Sequence, residues 1–210
     1  MSRLLYIEAS PRKDRSSSIK VARAFIESYS SSHEGDTVET LDLWVTDLPE
    51  FTGDVINSKY AIIHGDRHTP EQKKAWGSVE KVINNFKKGD KFLFSLPMWN
   101  FGIPYKLKHY IDLLVQPSYT FSVSPTGVYE GLVTGKPAAL IYARGGTYSA
   151  GTGAEGYDLQ KAYMELILGF IGFSDIHSIV VGPTLNVTHD EKAGILDTAI
   201  AEAQAVAANF

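Results

Sequence analysis

Five short strand-like runs, separated by longer runs with helical spacing, constrain this chain more than any other feature. The runs are Arg3 to Ala9, Thr37 to Leu43, Lys91 to Leu96, Lys136 to Tyr142 and Ile176 to Val181. Each is short, apolar or alternating, and bounded by polar or glycine-containing residues, as strands are. Helices are predicted between them. Ser18 reads as the N-cap of one reaching about Ser31, and a short one covers about Val55 to Ile63. Thr69-Pro70-Glu71-Gln72 reads as a cap, a first-turn proline and a capping-box residue, opening a helix that Gly89 stops after about Lys88. Tyr105 to Val115, Asp158 to Ile171 and the Ala-rich Asp190 to Ala208 complete the set, with Pro104 placed in a first helical turn. Strands joined by crossovers of this length run parallel and need cover on both faces. The expected fold is therefore α/β: a three-layer sandwich, with a five-stranded parallel sheet and helices on both sides, spanning residues 1–210 as a single domain. Phe121 to Leu132, with Ser124-Pro125-Thr126-Gly127 and Glu130-Gly131, reads as a hairpin or flap.

Composition narrows the function. A chain of 210 residues with 44% apolar and 21% charged content can bury one sizeable core. A net charge of -4 and a pI near 5.9 argue against a nucleic-acid partner, which calls for a basic face. There is no cysteine, hence no disulfide, thiolate nucleophile or Cys-ligated metal. The chain passes almost at once into Arg3-Leu4-Leu5-Tyr6-Ile7, so no signal peptide is expected, and no apolar run approaches the ~20 residues a bilayer requires. The expected compartment is the cytoplasm, with no membrane partner.

Three loops leave strand C-termini, where open α/β sheets bind ligands. The first, Ser10-Pro11-Arg12-Lys13-Asp14-Arg15-Ser16-Ser17-Ser18, ends at a helix N-terminus. Free N–H groups and the helix dipole favour an anion there, and Ser16, Ser17, Ser18, Arg12 and Arg15 add donors and positive charge. A phosphate monoester fits; without a Gly-x4-Gly-Lys-Ser/Thr pattern, a nucleoside triphosphate does not. The second loop, Pro97-Met98-Trp99-Asn100-Phe101-Gly102-Ile103-Pro104, holds more aromatic surface than a connector needs. Plugging the end of the core is the plain alternative. The third is Ala143-Arg144-Gly145-Gly146-Thr147-Tyr148, whose glycines either let the backbone approach a flat ligand, hold a positive φ, or form an ordinary turn.

Two patterns are set aside. Gly151-Thr152-Gly153-Ala154-Glu155-Gly156 matches the dinucleotide fingerprint in letters, but the strand before it ends about nine residues too early, and Asp175 opens the next strand instead of closing it. His64, Asp66, His68 and Glu71 have ligand spacing, but Gly65 and Thr69-Pro70 interrupt any helix carrying them, so no metal site is expected.

Together these residues carry a resemblance to the FMN-dependent NADH:quinone oxidoreductases, or azoreductases, of the flavodoxin-like fold. Ser10 with Ser16, Ser17 and Ser18 resembles the family's FMN phosphate loop. Pro97 to Pro104, then Leu107-Lys108 and Tyr110-Ile111-Asp112, resembles its loop along the flavin ring. Arg144-Gly145-Gly146 with Tyr148 resembles its glycine loop, and Leu168-Gly169-Phe170-Ile171-Gly172 a late helix motif. There are two departures: Ala143 stands where members often have Ser, and Thr120-Phe121-Ser122-Val123 replaces Thr-Phe-x-Tyr, removing an aromatic of the acceptor pocket.

The resemblance implies tightly bound, non-covalent FMN, with NADH or NADPH as donor and a quinone or azo compound as acceptor. It implies two-electron ping-pong chemistry, a homodimer with flavin sites at the interface, and no obligatory catalytic side chain. The cofactor residues it implies are Ser10, Ser16, Ser17, Ser18, Pro97, Met98, Trp99, Asn100, Phe101, Ala143, Arg144, Gly145 and Gly146. Two other classes stay open: a one-electron flavin carrier, and a flavodoxin-like binding protein with little turnover. Aerobic NADH oxidation with a quinone separates them, since a carrier needs a reductase.

Overall fold

The structure is a computed structural model that describes residues 1–64 and 69–210. Its strands are β1 (Arg3–Glu8), β2 (Thr37–Asp42), β3 (Lys91–Pro97), β4 (Phe121–Val123), β5 (Tyr129–Gly131), β6 (Pro137–Ala143) and β7 (Asp175–Val181). Its helices are α1 (Ser17–Ser32), α2 (Gly53–His64), α3 (Pro70–Lys87), α4 (Tyr105–Leu114), α5 (Leu159–Ile171) and α6 (His189–Ala208). Five strands form one parallel sheet in the order β2-β1-β3-β6-β7, and β4 pairs antiparallel with β5. The three-layer α/β expectation holds, as does the hairpin.

Strand periodicity divides the core. On β1, Leu4 and Tyr6 face one side and pack with Val21, Ala22 and Phe25 of α1 and Ala199 and Ala203 of α6. Leu5 and Ile7 face the other, with Val79, Ile83 and Phe86 of α3, Leu107 and Tyr110 of α4, and Met164 and Leu168 of α5. Both faces are thus buried, so β3 and β6 are buried without alternation and read as near-continuous apolar runs, with Ser95 the polar exception in β3.

Helix ends follow local chemistry, with one correction. Thr69 and Gln72 form the expected capping box, and Thr188 and Glu191 form another at α6. The cap of α1, however, is Ser16 and not Ser18: its side chain accepts from the Ile19 N–H, while Ser18 already lies in the helix and is fully buried. A run of three serines offers three possible caps; the turn at Lys13 to Arg15, closed by Ser16 N–H to Lys13 O at 2.8 Å, selects the first. The β4–β5 hairpin is held on α5 by Phe121, Tyr129 and Phe170. Gly131 is required there, because a Cβ would stand 2.3 Å from the Gly172 nitrogen.

Candidate functional site

The adjacent strands β1 and β3 lead in opposite directions along the sheet, β1 to β2 and β3 to β6, opening a crevice beyond the strand C-termini. A cleft lies there. The first loop contributes Ser10, Arg12, Ser16 and Ser17; the second contributes Pro97, Met98 and Trp99. The third contributes Ala143, Arg144 and Gly145, and a fourth, after β7, contributes Thr184 and Leu185. Among the described residues, the titratable side chains on these walls are Arg12 and Arg144.

The first loop presents donors. The N–H groups of Ser17 and Ser18 open α1 and have no intrahelical acceptor. Ser10 is buried and its Oγ accepts a long 3.4 Å bond from the Arg12 N–H; the Ser16 and Ser18 hydroxyls lie 3.1 Å apart. Lys13 is committed elsewhere: its ammonium bonds Glu8 at 2.6 Å and also Asp42. Burial pulls its pKa down, but the two carboxylates outweigh that and leave it above its ordinary value. Arg12, exposed and on the cleft wall, offers a cation to an anionic ligand. Arg15 does not line the cleft.

The second loop turns tightly. Trp99 and Gly102 exchange both backbone bonds, N–H to O at 3.0 and 2.9 Å, around Asn100 and Phe101 at φ 47° and 69°. Positive φ at both central residues is the type I′ pattern, which Asn tolerates and Phe does not. The strained Phe101 is 45% exposed and lies against Tyr157 and Tyr148, with ring centroids 5.1 and 6.4 Å apart. Trp99 is backed by Trp44 and Tyr105 at 5.7 and 6.4 Å, and Trp44 is fixed by its indole N–H to Ala9 O at 3.0 Å.

The third and fourth loops are tied together. Arg144 O accepts the Thr184 N–H and hydroxyl, each at 3.1 Å, and Gly145 O accepts the Leu185 N–H at 3.1 Å. Neither Gly145 nor Gly146 has a positive φ. Gly145 instead lies close to a side chain: a Cβ there would stand 2.6 Å from Leu185 Cδ1, so Leu185 would have to shift, and one on Gly146 would stand 3.1 Å from the Tyr148 hydroxyl.

Comparison with known proteins agrees with this architecture. The family model described as flavodoxin-like fold matches residues 2–207. FMN-dependent NADH:quinone oxidoreductase of Nitratidesulfovibrio vulgaris (strain DP4) is 48% identical over 210 residues, covering all of both chains. That of Desulfotalea psychrophila (strain LSv54 / DSM 12343) is 49% identical over 207 residues, covering 99% of this chain and 97% of its own. The chain belongs to this family. Among solved structures, an azoreductase of Bacillus anthracis str. Sterne superposes with a TM-score of 0.90 at 34% identity, covering both chains fully. A B. anthracis str. Ames Ancestor FMN-dependent NADH-azoreductase, solved in complex with FMN, gives 0.89 at 27% identity, covering 100% of this chain and 99% of its own.

The cleft fits what a flavodoxin-like member requires. Hydroxyls, free helix N–H groups and Arg12 at one end suit a phosphate, and the apolar Pro97, Met98, Trp99 and Ala143 beside it suit a flat ring. The predicted residues do not all share it. Ser18 turns inward to Ser16. Asn100 lines a neighbouring pocket with Phe51, Tyr105 and Lys108, sharing the Trp99 wall. Gly146 lines another with Tyr148 and Lys161. Phe101 is outside the cleft lining, half-exposed against Tyr157 and Tyr148. Sequence reading passed over Thr184, Leu185 and Trp44; the Gly182-Pro183 turn ending β7 was a usable signal for the first two, since it marks a fourth strand-end loop. The set-aside fingerprint forms an exposed loop, with Gly151 and Gly153 at φ 85° and 74°, open space where a Cβ would stand on either, and the Gly151 N–H donating to Glu155 Oε1 at 2.8 Å. The ligand spacing around His64 to His68 falls on positions 65–68, outside the described residues. Among the described residues no group of His, Asp or Glu is placed to hold a metal, and no helix is long and apolar enough to cross a membrane.

Proposed function

We infer that this chain is an FMN-dependent NAD(P)H oxidoreductase that reduces quinones and azo compounds by two-electron, ping-pong hydride transfer. The observation that carries the reading is the convergence of a phosphate-type donor set and two apolar, aromatic-backed loops on one cleft at the sheet's switch point. Bound FMN would supply the redox chemistry linking NADH or NADPH to the acceptor.

The chain's own work is binding, orientation and exclusion of water. Ser10, Ser16, Ser17 and the first N–H groups of α1 hold the phosphate, with Arg12 adding charge and Ser18 buttressing Ser16. Pro97, Met98 and Trp99 form one wall, kept rigid by Trp44 and Tyr105. Ala143, Arg144 and Gly145 form the other, kept in place by Thr184 and Leu185. Asn100 and Gly146 line the neighbouring pockets where donor and acceptor enter, and the exposed Phe101 packs on Tyr148 beside Gly146.

The same reading includes a cytoplasmic homodimer. An apolar groove of Ile103, Leu159, Ala162, Tyr163 and Leu166 beside the second loop, with Leu166 72% exposed, is the kind of surface a second copy covers. The test is steady-state NADH oxidation at several quinone concentrations. Parallel double-reciprocal lines are expected, because one slot serves donor and acceptor in turn. Intersecting lines would refute the shared slot, and turnover that requires a separate reductase would favour a carrier.

A further inference from the structure

We propose that Asp158 is a positioning residue of the cofactor cleft, acting through Arg144; the inference rests on the FMN reading above. Arg144 leaves β6 and lines the cleft, yet its side chain is only 5% exposed. Its Nη1 donates to Asp158 Oδ2 at 2.6 Å. Its Nε and Nη2 are buried with no acceptor among the described residues. The guanidinium carbon lies 5.9 and 5.8 Å from the rings of Tyr142 and Tyr148. One carboxylate therefore balances this buried cation.

That carboxylate is itself fixed. Asp158 Oδ1 accepts the Lys161 N–H at 3.0 Å, capping α5, while Oδ2 holds Arg144. Arg144 in turn organises two walls of the cleft: its N–H donates to Val181 O at 3.0 Å, and its carbonyl accepts both Thr184 bonds. Asp158 thus connects the start of α5 to the glycine loop and, through it, to Thr184 and Leu185. A buried arginine deprived of the carboxylate it is paired with is strongly destabilised where it stands. It must move out or draw water in, and either shift carries the cleft wall with it.

Asp158→Asn separates the two roles, since Asn caps helices as well as Asp but carries no charge. Asp158→Ser, also a capping residue, serves as a second neutral variant and must behave alike. The measurement is FMN titration of the apo-protein, with melting of the apo-protein in parallel. FMN affinity is expected to fall roughly tenfold or more. In an Arg144→Gln background the same substitution should change affinity by less than about twofold, because no charge remains to balance. The midpoint potential of flavin bound to Asp158→Asn should move positive, as an uncompensated cation favours the more negative reduced ring, and should not move in the Arg144→Gln background. Equal losses in both backgrounds, or an unmoved potential, would reduce Asp158 to a helix cap and overturn the proposal. If the unsubstituted chain fails to bind FMN, the functional reading falls and this inference with it. If it binds and Asp158→Asn binds equally well, only this inference falls.

Discussion

Replacing Ser16 in two ways separates its structural and its binding role. Ser16 is 4% exposed, caps α1 through a long 3.5 Å bond from the Ile19 N–H, and lines the cleft. A cap of that length belongs at the weak end of the range, so Ser16→Ala should cost the apo-protein ~0.5–1 kcal/mol. In a chain of this size that is a melting shift of about 1–4 °C. The same change removes one hydrogen bond to a phosphate, worth ~1.5–3 kcal/mol, or about ten- to a hundredfold in FMN affinity. Ser16→Asp reverses the balance. Asp caps as well as Ser and suits the positive end of the helix dipole, so the apo-protein should melt at the same temperature or higher. Its charge, however, opposes the phosphate. Two unit charges about 4 Å apart at an effective dielectric of about 20 repel by about 4 kcal/mol, or roughly three decades of affinity. Riboflavin, lacking the phosphate, should bind the unsubstituted chain more weakly than FMN does and be little affected by either substitution. Fluorescence titrations with both flavins, beside apo-protein melts, read all of this. FMN binding to Ser16→Asp close to that of the unsubstituted chain, or equal losses for the two flavins, would refute the phosphate assignment.

Other consequences follow from particular contacts. Phe101→Gly removes ~1–3 kcal/mol of strain at φ 69° but loses the rings of Tyr148 and Tyr157, so stability should hardly change while kcat/KM for the quinone falls roughly up to tenfold; a large loss of stability would contradict the strain argument. Gly131→Ala places a methyl 2.3 Å from the Gly172 nitrogen and should cost at least ~1–3 kcal/mol. Proteolysis should then cut within residues 121–132 while FMN binding survives, and an unchanged digest would show that the hairpin is not anchored there. The Asp36 carboxyl is held down to about 2 by the Ser2 N–H, then by the Tyr29 hydroxyl and Lys91. A folded pKa below the unfolded value gives stability that is present above about pH 4 and lost as pH falls toward about 2. The urea midpoint should therefore drop across that window, and Asp36→Asn should flatten the drop; parallel profiles would remove Asp36 from the acid transition.

The alternation of short apolar runs with helical spacing was enough to determine a parallel sheet covered on both sides, because burial on both faces leaves an unbroken apolar run as its local mark. Strand ends then nominated the Ser10, Pro97 and Ala143 loops, which do meet in one cleft. Local pattern could not choose among neighbours of like chemistry. Ser16 and not Ser18 caps α1, because a turn at Lys13 fixes where the helix starts. Trp99 turns into the cleft while Asn100 and Phe101 turn away, because the exchange of bonds between Trp99 and Gly102 rotates the residues between them. Gly145 and Gly146 offered themselves as positions for unusual φ, yet neither has a positive φ, and what stands beside Gly145 is Leu185, forty residues on. The pairing of Arg144 with Asp158 and the backing of Trp99 by Trp44 join residues from different elements. Such contacts exist only once the sheet has brought the strand ends together: sequence spacing encodes which face a residue lies on, and tertiary packing decides what it touches there.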